Sequence, residues 1–314
     1  MTEGIAAAHS ADDGRGWRRA LALFAFALGT SVVQPTVLIA VPLLGFLMLR
    51  SVKGRWVLVA VAMVSMVILI GVRDALWFVE RAWAISVGGA FVGITILAPN
   101  WRLTSLALFA VGASAVTWAG LLATGTNAWA SIDWSVTDRL RAGFATWTEA
   151  LVVLRQGEAL SPAAMGAIYQ TLEVQTAIFP AMVGLESMAA LAVSWWVYSR
   201  LAHDREADIG PVSGFGFNDH LVWLLLTGLA LLAAQLGDGL TRLGANLSVF
   251  MGALYALRGA GVVLFVSGGL SLFSYVMFAL GLLFAPLVVL GFAVIIGMAD
   301  TWLDLRARVG ELAA

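Results

Sequence analysis

Residues 103–124 read LTSLALFAVGASAVTWAGLLAT, 22 positions without a charged side chain. A helix rises about 1.5 Å per residue and needs about 20 mostly apolar residues to cross the hydrocarbon layer of a bilayer. This stretch has that length, and nothing in it resists burial in lipid. Working outward, comparable runs lie near 56–72, 82–98, 177–199, 219–237, 246–268 and 272–298. At the N-terminal side, Ala20 to Leu49 is apolar but too long for one crossing, and Gln34-Pro35 interrupts it. It reads as two short helices, about 20–33 and 36–50, with a single proline-kinked helix as the alternative. The expected fold is therefore all-α: a polytopic transmembrane helix bundle of eight or nine spans, helical because open sheet edges find no partners in lipid.

Composition agrees. Of 314 residues, 61% are hydrophobic and 12% charged, and mean hydropathy is +0.92. Soluble domains carry about 25% charged residues. A water-soluble enzyme, a disordered chain and a coiled coil are poor fits. Eighteen Lys/Arg against 19 Asp/Glu leave a net charge of −1, so there is no basic field for phosphates and nucleic acid is not an expected partner. Cysteine is absent, which excludes disulfides, thiolate metal sites and thiol chemistry.

The first 16 residues read as a disordered tail, residues 17–308 as one integral membrane domain, and 309–314 as a C-terminal tail. Arg15, Arg18 and Arg19 precede an apolar run as in a signal peptide, but no small-x-small cleavage site follows, so the first helix is expected to stay uncleaved. These arginines, the Arg50/Lys53/Arg55 loop and the Arg200/Arg205 loop mark the cytoplasmic side. With nine spans Arg306 and Arg308 fall outside, against that rule, and one span more or fewer within 244–298 would repair it. Trp17, Trp56, Trp77, Trp83, Trp101, Trp195, Trp196, Trp223 and Trp302 stand near proposed span ends, where indole rings anchor in the headgroup zone.

Residues 125–176 form the one long polar stretch, a helical extramembrane or interfacial insert. A helix starting near Ser135–Asp138 would place Leu140, Phe144, Trp147, Leu151 and Leu154 on one stripe, against the membrane interface or against the protein itself. Gly157 ends it. Ser161-Pro162 opens a second helix, with serine as cap and proline in the first turn, running to Phe179-Pro180, where proline bends it into the next span.

Two charges fall within spans: Glu186 in 177–199 and Arg258 in 246–268. A charge at the bilayer centre costs about 2.5–3.5 kcal/mol on insertion scales, so neither is expected to face lipid. At similar depth, they either pair to lock helices together or line a midplane site with Tyr255, one turn before Arg258. Met182, Ala189, Ala190 and Val193 offer a mostly small face around Glu186, and Gly261 leaves room beside Arg258. Asn246, Gln235 and Asp238-Gly239 read as turn chemistry, and Arg73 and Asp74 as a solvated local pair. Ala25-x3-Gly29 and Gly89-x3-Gly93 have the spacing of closely packed helices.

No catalytic or metal-ligating set is legible. His9, His203 and His220 lack the spacing of a metal pair, there is no nucleophile elbow or phosphate loop, and Gly237-Asp238 has Gln235 where an intramembrane aspartyl protease has glycine. No enzyme activity and no cofactor are expected.

Four segments of the C-terminal half do form a pattern: Phe179-Pro180, the aromatic lead-in Phe215-Gly-Phe-Asn218-Asp219-His220-Leu-Val-Trp223, Leu257-Arg258-Gly259-Ala260, and Gly297-Met-Ala-Asp300-Thr-Trp-Leu-Asp304-Leu-Arg306. They resemble the YybS-like family of predicted bacterial membrane proteins, a domain of unknown function. The likeness covers roughly 170–308, and Arg258 stands where that family has glutamine. The family is distantly similar to substrate-binding subunits of energy-coupling-factor transporters. That resemblance implies a small-solute binding or transport subunit in the bacterial cytoplasmic membrane. Its partners would be the lipid bilayer, a small-molecule solute and a transmembrane coupling protein with ATPase subunits. Ala25 and Gly29 would then be the helix-docking stripe. The rival reading is a non-enzymatic scaffold or assembly factor.

Overall fold

A computed structural model describes residues 76–98, 100–125, 127–154, 158, 160–202, 211–269 and 271–313. The expected spans at 20–33, 36–50 and 56–72, the N-terminal tail, Arg73, Asp74, Ala25 and Gly29 lie outside the described residues. The described chain is helical, with no strand: α1 (Trp77–Leu97), α2 (Leu103–Thr124), α3 (Ala128–Leu154), α4 (Pro162–Ala202), α5 (Val222–Ala234), α6 (Asp238–Val266), α7 (Leu272–Phe284), α8 (Pro286–Leu303) and α9 (Leu305–Ala313). Short 3-10 turns at Val212–Gly214 and Asp219–Leu221 lead into α5.

Five of these helices are long and apolar enough to cross a membrane: Trp77–Leu97, Leu103–Thr124, Pro162–Trp196, Asp238–Val266 and Pro286–Leu303. Many of their large apolar side chains, among them Val116, Leu121, Phe292 and Ile295, are exposed. That pattern suits a chain whose solvent is lipid, where exposed Leu and Phe cost nothing.

The structure revises three sequence boundaries. The expected span 272–298 is two helices, because Pro286 sits at the first turn of α8 and Ala285 takes an extended φ of −141°. Proline restricts the residue before it and cannot donate to the preceding turn. The chain folds back there, so that Gly281 of α7 lies against Val289 of α8. At 13 residues, α5 and α7 are each about 20 Å long, short of a full crossing. And α6 begins at Asp238, well before 246, so Asp238 and Asn246 are helical residues and not turn chemistry.

Contacts group the described residues into two compact units that share α4: residues up to Thr176 with those from Glu186 onward in α4, and Ala177–Leu185 with residues 211–313. In the first unit, α1 buries Trp77, Arg81, Ala84, Val87, Gly88, Phe91 and Thr95, a stripe at helical spacing. The facing stripe of α2 is Leu106, Ala107, Ala110, Val111 and Ser114. Indoles tie the helices together: Trp118 donates to the Ser86 hydroxyl (3.1 Å), Trp83 to Ser187 of α4 (2.9 Å), and Trp195 meets Phe91 edge-on. Trp77 is thus buried, and Trp83 and Trp195 are half-buried with their rings engaged by other helices. Trp101, Trp196, Trp223 and Trp302 are exposed. Among the described residues, nothing lies within 4 Å of where a methyl group on Gly89 or Gly93 would sit.

In α3, the helix starts at Ala128, earlier than the sequence suggests. Val136 is its buried residue, Leu140, Phe144 and Leu151 are half-buried, and Trp147 and Leu154 are exposed, so the apolar stripe is only partly covered among the described residues. Arg139 pairs with Glu80 of α1, and the hydroxyls of Thr137 and Thr176 hydrogen-bond. Ser161 caps α4 through the Ala164 amide (3.2 Å), as expected.

In the second unit, α5 and α6 form a hairpin that turns through Gln235 and Gly237, both at positive φ (46° and 112°). The hairpin closes where Gly228 meets Ser248 and Gly244 meets Leu231. A second crossing joins α6 to α8. A methyl group on Gly259 would collide with the Ala293 carbonyl, and one on Gly297 with the Tyr255 carbonyl, so the two glycines let the backbones touch.

Candidate functional site

That crossing positions a charged cluster. Immediately before Gly259 on α6, the Arg258 guanidinium is 5% exposed and directs Nε to Asp300 Oδ2 of α8 (2.9 Å) and Nη1 to Asp219 Oδ1 (2.6 Å). Asp300, 2% exposed, also accepts from Arg306 Nη2 at 2.7 Å. Arg306 reaches back with Nη1 to the carbonyls of Ser213 (3.2 Å) and Phe215 (2.9 Å). It thereby pins the 211–219 segment along α6, where the Val212 carbonyl rests on Gly261. Asn218 caps the turn that carries Asp219 by accepting from the His220 amide (2.9 Å). The Phe217 ring centroid lies 5.6 Å from Arg258 Cζ and 5.0 Å from the Tyr255 ring, edge-on.

Two arginines therefore face two aspartates, with aromatic rings on one side. Buried ion pairs persist when hydrogen bonds satisfy the remaining donors and lone pairs, as the shared Asp300 does here. Tyr255 is fully buried. Its hydroxyl has Thr301 as a polar neighbour but no hydrogen-bond partner of acceptable geometry among the described residues. The two carboxylates differ sharply in access: the Asp219 side chain is 56% exposed and that of Asp300 is 3%.

Sequence reasoning anticipated Arg258 and Tyr255 as neighbours, and Gly297, Asp300 and Arg306 as one motif; these five come together. It missed Asp219 as a partner of Arg258. Asp304 stays apart from the cluster. It is exposed, takes a left-handed conformation (φ 44°) and breaks α8 from α9. Glu186 belongs to the other unit, half-buried beside Ser187, while Met182, Ala189 and Val193 near it are exposed and Ala190 is buried. The ionic partners of Arg258 are Asp219 and Asp300.

Asn246 was also missed. Pro180, inside α4, has no N–H and its ring crowds the preceding turn. The Asn246 side chain of α6 enters that gap: Oδ1 accepts from the Ala181 amide and Nδ2 donates to the Ala177 carbonyl, both at 2.8 Å. Those are the two groups a regular helix would join to each other. Nδ2 also donates to the Arg242 carbonyl, and Arg242 Nε adds a 3.3 Å bond to Ala177. A polar side chain inserted into the helical ladder is a known cause of a kink.

Of the four segments that carry the family resemblance, 215–219, 257–260 and 297–306 thus meet at Arg258, while 179–180 lies apart, at Asn246. Neither protein-family models, curated proteins nor solved structures match this chain. Among the described residues, no group of three or more His, Cys, Asp or Glu is placed to hold a metal ion.

Proposed function

We propose that the protein is a multi-pass subunit of a bacterial cytoplasmic membrane that binds a small solute, or helps to transport it, through the Arg258 cluster. One observation carries this reading. A buried guanidinium is held on one side by a buried carboxylate and on the other by an exposed one, with the buried Tyr255 phenol one helical turn away. Ionisable groups within apolar helices mark functional sites by default, because a purely apolar contact would have been cheaper to insert. The resemblance of 170–308 to the YybS-like family, and through it to solute-capturing transporter subunits, supports the same reading. The resemblance also supplies the partners: a transmembrane coupling protein with its ATPase subunits.

The test is a thermal-unfolding screen of the detergent-purified protein against cationic, neutral and anionic solutes. A stabilising solute whose effect disappears in Arg258→Gln supports the proposal. A screen without any stabilising solute refutes it.

The exposed end of α3 favours a second reading. Trp147, Val153 and Leu154 leave an apolar strip uncovered outside the long apolar helices, as a scaffold that grips other membrane proteins would. Cross-linking in native membranes separates the two. Recovery of an ATPase pair with its coupling protein supports transport; recovery of an unrelated complex supports scaffolding.

A further inference from the structure

We infer that the solute recognised at Arg258 is a small monocarboxylate, and that Asp219 occupies its place when it is absent; this rests on the solute-binding reading above. The charge balance is the first argument. Arg258 and Arg306 bring two positive charges to a largely buried site, and Asp300, bonded to both, returns one negative charge. One further anion closes the balance, and a second would overshoot it. A carboxylate fits; a phosphate dianion does not.

Exchangeability is the second. The Asp300 side chain is locked between two guanidinium groups. Asp219 is anchored to the cluster by one side-chain contact, with Arg258, and is otherwise exposed. Asp219 is the exposed half of its pair with the buried Arg258, so a carboxylate from solution can replace it one for one without leaving the guanidinium unpaired, whereas Asp300 cannot be displaced without stranding two charges. The Asp219 side chain can swing away without moving the backbone, because Arg306 holds the Ser213 and Phe215 carbonyls and Asn218 caps the following turn.

The third is the wall of the site. Tyr255 brings a buried hydroxyl whose one polar neighbour among the described residues is Thr301, without good hydrogen-bond geometry, and Phe217 brings an aromatic ring against both Arg258 and Tyr255. A ligand carboxylate bridging Arg258 and Tyr255 would make charge-assisted hydrogen bonds, which are roughly twice as strong as neutral ones. A short apolar tail would lie on Phe217.

The experiment uses the full chain in detergent or nanodiscs, at fixed ionic strength. Melting temperature and calorimetric titration are read with acetate, propionate and benzoate, with the neutral amides propionamide and benzamide, and with inorganic phosphate. The expected result is stabilisation by propionate or benzoate and not by the amides or phosphate. Asp219→Asn should bind the same carboxylate more tightly, since the internal competitor for Arg258 is removed. Tyr255→Phe should weaken binding about three- to tenfold and serves where Arg258→Gln fails to fold. Equal stabilisation by an amide and its carboxylate overturns the carboxylate assignment while leaving solute binding intact, as does a response to phosphate alone. The assignment is also overturned if no carboxylate binds wild type or Asp219→Asn. In that case a neutral or cationic solute found in the wider screen would still uphold the solute-binding reading, and an empty screen would sink both.

Discussion

Replacing Asn246 by alanine should remove the bridge that closes the α4 ladder at Pro180. Two interhelical bonds of 2.8 Å would be lost, to the Ala181 amide and the Ala177 carbonyl. Their consequences differ. The Ala177 carbonyl keeps Arg242 Nε at 3.3 Å, so its loss is softened. The Ala181 amide, on a residue only 4% exposed, would have no acceptor in reach once the side chain is gone. Interhelical hydrogen bonds in membranes average about 0.6 kcal/mol and reach about 1.7, and a stranded buried donor costs about 1–3 kcal/mol. The expected destabilisation is therefore about 1.5–3 kcal/mol, most of it from one N–H.

A double-mutant cycle isolates the mechanism. Pro180→Ala restores the missing N–H and relieves the crowding at the preceding turn, so that Ala181 can bond Ala177 directly. In that background Asn246→Ala should cost less than about 1 kcal/mol, a coupling of about 1 kcal/mol or more. The assay is reversible unfolding in mixed micelles, with the four proteins compared at a common denaturant fraction. Equal costs of Asn246→Ala in both backgrounds would refute the account, because the asparagine would then be stabilising something other than the proline gap.

Three further outcomes follow from the same physics. Gly259→Ala should destabilise by about 1–3 kcal/mol, because a methyl group would overlap the Ala293 backbone carbonyl, whereas Gly252→Ala, with nothing near it, should stay within about 0.5 kcal/mol of wild type in the same unfolding assay. Asp300→Asn should cost about 3–5 kcal/mol by uncompensating two arginines, against a clearly smaller loss for Asp219→Asn, which leaves Arg258 its bond to Asp300; equal losses would contradict the assigned difference in burial. Trp83→Phe removes the donor to Ser187 and should cost about 0.5–1.7 kcal/mol, with loss of the near-ultraviolet signal of a fixed indole; an unchanged spectrum would place that indole outside the packed interior.

The long helices were legible because lipid imposes a crude rule. The run 103–124 needs no tertiary information: it is uncharged, it follows Arg102 and it stops at Gly125, and the observed α2 has those bounds. The failures share a cause. In 272–298 the composition never changes, so hydropathy sees one segment, although Pro286 carried the signal for a break and Ala285 obeys it. Asn246 and Asp238 look like turn residues because Asn, Asp and Gly favour turns. What keeps Asn246 in a helix is a gap in another helix, 66 positions away at Pro180, which no local window contains. Distance to a span end does not say which way a tryptophan points: Trp83 and Trp195 also reach a neighbouring helix.

Arg258 shows why depth along a sequence is a poor guide to pairing in a bundle. Matching mid-span charges by position selects Glu186, the carboxylate at a comparable place in its own run. The partners observed stand at helix ends instead: Asp219 just ahead of α5, and Asp300 in the last turn of α8. They can reach the middle of the hydrophobic run in α6 because α6 is long, 29 residues, while its neighbours are staggered along it. Around Gly228 and Gly244, α5 covers the early half; around Gly259 and Gly297, α8 covers the later half. Arg258 stands at the level where one neighbour begins and the other finishes. Helix ends leave backbone donors and acceptors without intrahelical partners and are where polar residues are cheapest to place. The stagger thus brings polar groups to a place that hydropathy reads as uniformly apolar. The same logic holds at Pro180, where an interrupted ladder draws in Asn246. In both places the polar side chain sits where a helix starts, stops or breaks, so the sequence signal to look for is the end or interruption of the neighbouring helix.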